Sequence, residues 1–130
     1  MYRIFLLLIL FLFASGSVNA EGKRLNADEV KKLFSGNTVE CYHKKKKFSY
    51  IVYYDPKGTV RGISTDLRER KAKWFVEKDG YHCVHWSDKS GPICHGVFPN
   101  GDGTYQRKRK GKTKSGITMK RVEKGNPYNF

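Results

Sequence analysis

From position 38 onward the sequence consists of short segments in which apolar and polar residues alternate. In the clearest of them, 48–55, Phe48, Tyr50, Val52 and Tyr54 fall on one face of an extended chain. A period of two is typical of a β-strand that buries one face. Because this pattern continues through most of the chain, it limits the fold to a mainly β architecture.

Tight turns separate these segments. Asp55-Pro56-Lys57-Gly58, Lys78-Asp79-Gly80 and Asn100-Gly101-Asp102-Gly103 combine Pro, Asn, Asp and Gly as hairpin turns require. Connections this short join neighbouring antiparallel strands. The sequence therefore predicts an antiparallel meander of about eight strands. The predicted strands are 38–43, 48–55, 59–64, 70–77, 81–86, 93–98, 104–109 and 116–122.

One short helix is predicted before the strands, at about 26–35. Asn26 can cap it, and Glu29 stands at the third helical position, where its side chain completes a capping box. Val30 and Phe34 belong to one apolar stripe along the helix. The helix is therefore expected to present one face to a core.

Eight strands in meander order with one helix suit a small up-and-down, lipocalin-like barrel or a strongly curled sheet plugged by the helix. Closure of a barrel removes the exposed strand edges that a sheet would otherwise present. A β-sandwich is the alternative fold.

The first twenty residues have the pattern of a secretory signal peptide. Arg3 supplies a positive start, 4–13 is an apolar run too short to cross a membrane, and Val18-Asn19-Ala20 has small residues where signal peptidase reads them. We expect cleavage after Ala20, a single domain at 21–130 without a transmembrane segment, and a periplasmic or secreted location.

The chain is strongly basic: 26 lysines and arginines against 12 acidic residues give a net charge of +14. Only Arg3 is charged within the predicted leader, so the mature chain keeps +13. Charge of this sign attracts polyanions such as nucleic acid, acidic polysaccharide or anionic lipid head groups. It also serves solubility alone, so it indicates a class of partners without naming one.

Three cysteines remain in the mature chain: Cys41, Cys83 and Cys94. An oxidising compartment favours the pairing of two of them. Of the three pairings we favour Cys83 with Cys94, because they lie on successive predicted antiparallel strands. Cys41 would then be a free thiol, either buried or available to a second chain.

A series of motifs follows a fixed order along the mature chain. They are Ser35-Gly36-Asn37-Thr38-Val39, the stretch from Tyr54 to Gly62, Trp74, the stretch from Gly80 to Trp86 with Cys83-Val84-His85-Trp86, Cys94, and Gly101-Asp102-Gly103-Thr104-Tyr105. Together they resemble an uncharacterised "domain of unknown function" family of small exported Gram-negative bacterial proteins. The resemblance implies an envelope or secreted setting and a Cys83–Cys94 pair, and it implies no activity. Where that family has a small residue, this chain has Cys41.

We expect neither a metal site nor a catalytic site. Cys83, His85, Cys94 and His95 do not have the spacing of a zinc motif, and the thiols would have to stay reduced. The histidines and lysines would allow a small basic nuclease, but a Gly-rich phosphate loop, a nucleophile elbow and paired carboxylates are missing from the sequence. We therefore expect no cofactor and no enzymatic activity.

Binding of an anionic envelope or extracellular partner is the favoured interpretation, with an affinity that depends on salt. Two basic runs would form the binding surface, with tyrosines interleaved for stacking. The basic residues are Lys44, Lys45, Lys46 and Lys47 in the first run and Arg107, Lys108, Arg109 and Lys110 in the second, and the tyrosines are Tyr42, Tyr50, Tyr53 and Tyr105.

A lipocalin-like carrier of a small apolar ligand is the first alternative. An eight-stranded barrel of this size can also be filled by its own side chains. The second alternative is a structural or protein-interaction module, and the sequence leaves the oligomeric state open. The residues that would line a carrier's pocket are Tyr50, Val52, Trp74, Val76 and Trp86.

Overall fold

The computed structural model describes residues 22–63 and 71–130. The predicted leader and the connection between the third and fourth strands lie outside the described residues. Within these residues, eight antiparallel strands close into a barrel in sequence order, preceded by one helix, so the predicted barrel is confirmed and the sandwich alternative is wrong. The elements are α1 (Ala27–Phe34), β1 (Asn37–His43), β2 (Phe48–Tyr54), β3 (Thr59–Ile63), β4 (Ala72–Val76), β5 (His82–Trp86), β6 (Ile93–Pro99), β7 (Tyr105–Arg109) and β8 (Ser115–Lys124).

The pairing of β1 with both β2 and β8 closes the barrel. Val39 of β1 lies opposite Val52 of β2 on one side and Val122 of β8 on the other. Residues that alternate along the strands face a common interior, as the period of two predicts. The seam between β3 and β4 is short, with two residue pairs among the described residues, Thr59 with Lys73 and Val60 with Ala72.

The helix begins at the predicted capping box. The Asn26 side chain accepts a hydrogen bond from the Glu29 backbone N–H at 2.9 Å, and Glu29 Oε1 accepts one from the Asn26 backbone N–H at 3.0 Å. α1 packs against β1 and β4. Val30 and Phe34 are fully buried, so the helix places the Phe34 ring inside the barrel.

An up-and-down barrel gathers alternate connections at each end. The turns 44–47, 87–92 and 110–114, together with the start of β4, lie at what we call the lysine end. The helix, the two chain segments that flank the barrel, and the turns after β2, β4 and β6 lie at the helix end. Gly80 in the turn after β4 has φ +94° and approaches the Leu25 carbonyl too closely for a side chain, which ties this turn to the helix entry.

Cys83 and Cys94 form a disulfide, as predicted, between paired positions of β5 and β6. Cys41 is a buried free thiol. The cross-link therefore lies within the barrel wall, and of the two alternatives for Cys41 the structure shows the buried one.

Removal of the disulfide in the Cys83→Ala/Cys94→Ala variant is expected to lower the free energy of unfolding by about 3 kcal/mol, because an unfolded chain without the cross-link regains loop entropy over a separation of 11 residues. Urea unfolding measures this loss, and thiol titration of the unfolded, unreduced wild type should find the Cys41 thiol alone. An unchanged unfolding midpoint in the variant would contradict the prediction.

Candidate functional site

Arg107 lies inside the barrel. Its side chain is 3% exposed, and its guanidinium carbon lies 5.6 Å from the centre of the Phe34 ring. The prediction that Arg107 belongs to an exposed basic run is therefore wrong. The physical reason is strand alternation: Arg107 occupies an inward position of β7, while Gln106 and Lys108 occupy outward positions.

His82 of β5 is a direct polar partner of Arg107. An NH2 nitrogen of Arg107 lies 3.0 Å from His82 Nδ1. A guanidinium can only donate, so His82 Nδ1 accepts and the imidazole proton resides on Nε2. Both side chains are buried, so the bond joins a buried cation to a neutral ring.

Aromatic rings enclose this pair. The His82 ring stacks on Phe34 with 3.8 Å between ring centroids and an interplanar angle of 17°. Trp74 stacks on the same imidazole at 5.8 Å, and Tyr54 meets it edge-on at 5.0 Å. Four rings from α1, β2, β4 and β5 therefore pack together inside the barrel.

Cys41, Tyr50 and Tyr54 are further polar neighbours of Arg107. Cys41 and Tyr54 hydrogen-bond to Arg107, and Tyr50 hydrogen-bonds to Cys41. Burial raises the pKa of the Cys41 thiol and outweighs the lowering by Arg107. Burial also raises the pKa of Tyr54 to about 12 and that of Tyr50 above its ordinary value. These three groups are therefore neutral near pH 7, and the guanidinium is the charge among them.

The side chains predicted to line a carrier's pocket lie inside the barrel wall. Val52 and Trp74 belong to the buried core, and Tyr50, Val76 and Trp86 are partly buried and pack against it. The rings of Phe34, Tyr54 and Trp74 pack against one another in this part of the interior. Trp86 also lines a groove between β3 and β4, together with the core residues Val60 and Ala72.

That groove has a volume of about 610 Å³ and lies along the short seam between β3 and β4, beside the end of β5. Arg61, Lys71, Lys73 and His85 contribute basic side chains to it, and Trp86 contributes an indole. Cations around an aromatic surface are suited to an anionic or phosphate-bearing group. The sequence motifs did not point to this groove, because it depends on which strands pair.

The first predicted basic run, Lys44 to Lys47, forms the exposed turn between β1 and β2. Lys44 donates a hydrogen bond to Gln106 Oε1 at 3.0 Å, and its backbone N–H donates to the Gly116 carbonyl, also at 3.0 Å. These bonds place the turn next to the β7–β8 turn at 110–114. The two lysine-rich turns are thus neighbours, although about 65 residues separate them in sequence.

The remaining members of the second run lie on the barrel wall. The Lys108 ammonium lies 4.5 Å from the centre of the Phe98 ring, and Arg109 is exposed at the end of β7. Lys110 pairs with Glu77 at 3.3 Å and lies over the Tyr81 ring. The second basic run is therefore split: Arg107 lies in the interior, Lys108 on the barrel wall, and Arg109 and Lys110 toward the lysine end.

Two of the predicted stacking tyrosines point outward, and two point inward. Tyr42 and Tyr53 occupy outward positions of β1 and β2, and the Lys120 ammonium lies 5.2 Å from the Tyr42 ring centre. Tyr50 and Tyr105 pack against the core. Only the outward pair is placed to contact a partner on the barrel surface.

The sulfur atoms of Cys83 and Cys94 are bonded to each other, with the Glu77 carboxylate nearby. A disulfide offers no thiolate to a metal ion, so these two sulfurs cannot serve as thiolate ligands. His85 is exposed on the outer wall, whereas His95 is buried opposite His82. The strand register thus separates the two histidines that the sequence places near the cysteines.

Comparison with protein-family models, with curated proteins and with solved structures finds no match to this chain. The resemblance to an uncharacterised exported family stays a prediction. Within the described residues, no helix has both the length and the apolar character needed to cross a bilayer.

Proposed function

We propose that this chain is an exported, non-enzymatic binding protein whose lysine end docks on an anionic polymer or a surface of anionic head groups outside the cytoplasm. The observation that supports this most is the pair of adjacent turns at 44–47 and 110–114. They contain seven lysines and no acidic residue. Their adjacency follows from the pairing of β1 with β8, which brings His43 opposite Ile117.

Most of these lysines are exposed. Lys45, Lys46, Lys47, Lys112 and Lys114 are exposed, and none of them forms an ion pair with another described residue. Several like charges without counter-charges create a positive potential at one end of the barrel. Neutralisation by a polyanion releases bound counterions and gives a favourable, salt-dependent binding free energy.

The groove beside β4 extends this positive surface. Its basic residues Lys71 and Lys73 are exposed on the start of β4, which is also at the lysine end. The helix end has a different balance, since its turns at 55–58, 77–80 and 99–104 contain four acidic residues and two lysines, and one of these carboxylates, Glu77, pairs with Lys110. This asymmetry would orient the protein with its lysine end toward an anionic partner.

The proposal predicts that the Lys45→Ala/Lys46→Ala/Lys112→Ala variant binds heparin, double-stranded DNA and anionic vesicles more weakly than the wild type. For DNA, the slope of log affinity against log salt should fall in magnitude by about 1 for each lysine that contacts a phosphate. Titration at several salt concentrations gives both quantities, and comparison of the three probes shows which polyanion class is preferred.

The matched control is Lys32→Ala/Lys57→Ala/Lys78→Ala, which removes the same charge from exposed positions at the helix end. This control should keep most of the affinity and nearly all of the salt slope. Equal losses of affinity in the two variants would show that net charge alone attracts the polyanion. A wild-type affinity that does not depend on salt would contradict binding by counterion release.

A further inference from the structure

Within the described part of the barrel, the charge of Arg107 has no counter-charge. Among residues 22–63 and 71–130, no carboxylate forms an ion pair with it. Its described neighbours are the His82 ring, the Cys41 thiol, the Tyr50 and Tyr54 phenols and the Phe34 ring. Burial of an unpaired charge is costly, and buried charges in proteins are normally paired.

Two buried N–H groups near this charge also lack acceptors. Arg107 Nε and His82 Nε2 have no hydrogen-bond partner in the described part of the protein. Arg107 Nε always carries a hydrogen, and His82 Nε2 carries one because Nδ1 accepts from Arg107. The described interior therefore combines one unpaired positive charge with two unsatisfied donors. The donors need a hydrogen-bond acceptor and the charge favours an anion, so an anionic acceptor would satisfy both.

We propose that the barrel interior binds a carboxylate at Arg107. The planar guanidinium matches the geometry of a carboxylate, which can accept from two of its N–H groups at once. The neighbouring Tyr54 hydroxyl accepts from Arg107, so its own hydrogen can be donated to the bound group. The bound group must be small where it meets Arg107, because Phe34, Tyr54 and His82 pack closely around it.

Two sources could supply such a group: a free small carboxylate, or the head of a longer-chain carboxylate whose apolar tail follows the core side chains. This site differs from the lysine end in place and in chemistry, since it is buried and takes a single negative charge. The inference therefore goes beyond the proposed function, and acetate binding should be unchanged in the Lys45→Ala/Lys46→Ala/Lys112→Ala variant.

The test is an NMR titration of the mature protein with acetate, following the side-chain Nε–H signal of Arg107. We expect a saturable shift of this signal and a rise in the melting temperature, because a ligand that binds only the folded state stabilises it. Arg121 Nε–H, which donates to Glu123 at 2.9 Å on the surface, is the internal control and should not shift. Acetamide, which has nearly the same shape without the charge, should shift neither signal.

Octanoate distinguishes the two sources. Affinity well above that of acetate would identify the longer-chain carboxylate, and equal affinity would identify the free small anion. The Arg107→Met variant should lose acetate binding, and Arg107→Lys should bind at least about tenfold more weakly because it lacks the planar fork and the Nε–H donor.

The titration of the wild type tests carboxylate binding at Arg107 even if both variants fail to fold. No shift of the Arg107 signal at saturating salt-matched acetate, or an equal response to acetate and acetamide, would overturn the proposal. Acetate binding retained in a folded Arg107→Met variant would overturn it as well.

Discussion

As the pH falls below 6.5, the free energy of unfolding is expected to decrease by up to about 1.4 kcal/mol per pH unit for each of two buried histidines, His82 and His95. These residues lie opposite each other on β5 and β6. Burial lowers the pKa of His95 to about 3 and that of His82 well below its ordinary value, and the Arg107 charge adds to both effects.

The sign follows from proton counting. Both histidines take up protons in the unfolded chain near pH 6.5, whereas the folded protein keeps them neutral until a much lower pH. Between these values the unfolded state binds more protons, so acidification favours unfolding. The contribution of these two histidines to the free energy of unfolding is therefore fully present above the unfolded pKa. It is lost progressively as the pH approaches 3.

Urea unfolding at a series of pH values measures this dependence. The range above about pH 5 isolates the histidines, because carboxylates titrate near 4. In the His95→Gln variant the slope in this range should decrease by up to about 1.4 kcal/mol per pH unit. His85→Gln, at an exposed position of β5, is the matched control, because it replaces a histidine without changing the barrel interior. A wild-type stability that is constant over this range would contradict the prediction.

Truncation of Phe34 to Ala is expected to lower the free energy of unfolding by about 3–5 kcal/mol. The Phe34 side chain is fully buried and, with Val30, forms the buried face of α1. Its ring stacks on His82, meets Tyr54 edge-on at 5.0 Å and lies 5.6 Å from the Arg107 guanidinium carbon. The substitution leaves a cavity among these rings, and it removes the apolar surface that shields the Arg107–His82 hydrogen bond.

Phe75→Ala is the matched control, since Phe75 lies at an outward position of β4 and is 44% exposed. This change should alter the free energy of unfolding by about 0.5 kcal/mol or less. Equal losses in the two variants would show that the helix does not contribute the core contact described above. Loss of α-helical signal in Phe34→Ala with the β signal retained would instead locate the damage in α1.

Local sequence patterns were sufficient for the secondary structure. The alternation in 48–55 correctly predicted that Tyr54 and Val52 face the core, and the Asn26–Glu29 pair correctly located the start of the helix. These local patterns predict the structure correctly because turns, caps and the strand period depend on residues only a few positions apart. The Cys83–Cys94 pairing was predictable for the same reason, since a short turn joins their strands.

The candidate sites were harder to predict. The alternation of β7 already placed Arg107 on the same face as Tyr105, but the cluster of basic residues at 107–110 led to the prediction that all four are exposed. The interior role of His82 and the groove beside Lys73 had no sequence signal of their own. Each depends on side chains from several strands meeting in space, and the local patterns do not specify those distances.

The sequence by itself determined the run of short strands with their turns, the capped helix and the meander order of the strands, because each follows from short-range periodicity and turn chemistry. The tertiary structure alone decided that β8 returns to β1, so that two distant lysine turns become neighbours. It also decided that Arg107, a basic residue within a charged run, is buried inside the barrel. Closure and register are set by contacts between residues far apart in the chain, and these contacts determine which charges meet a partner and which are buried.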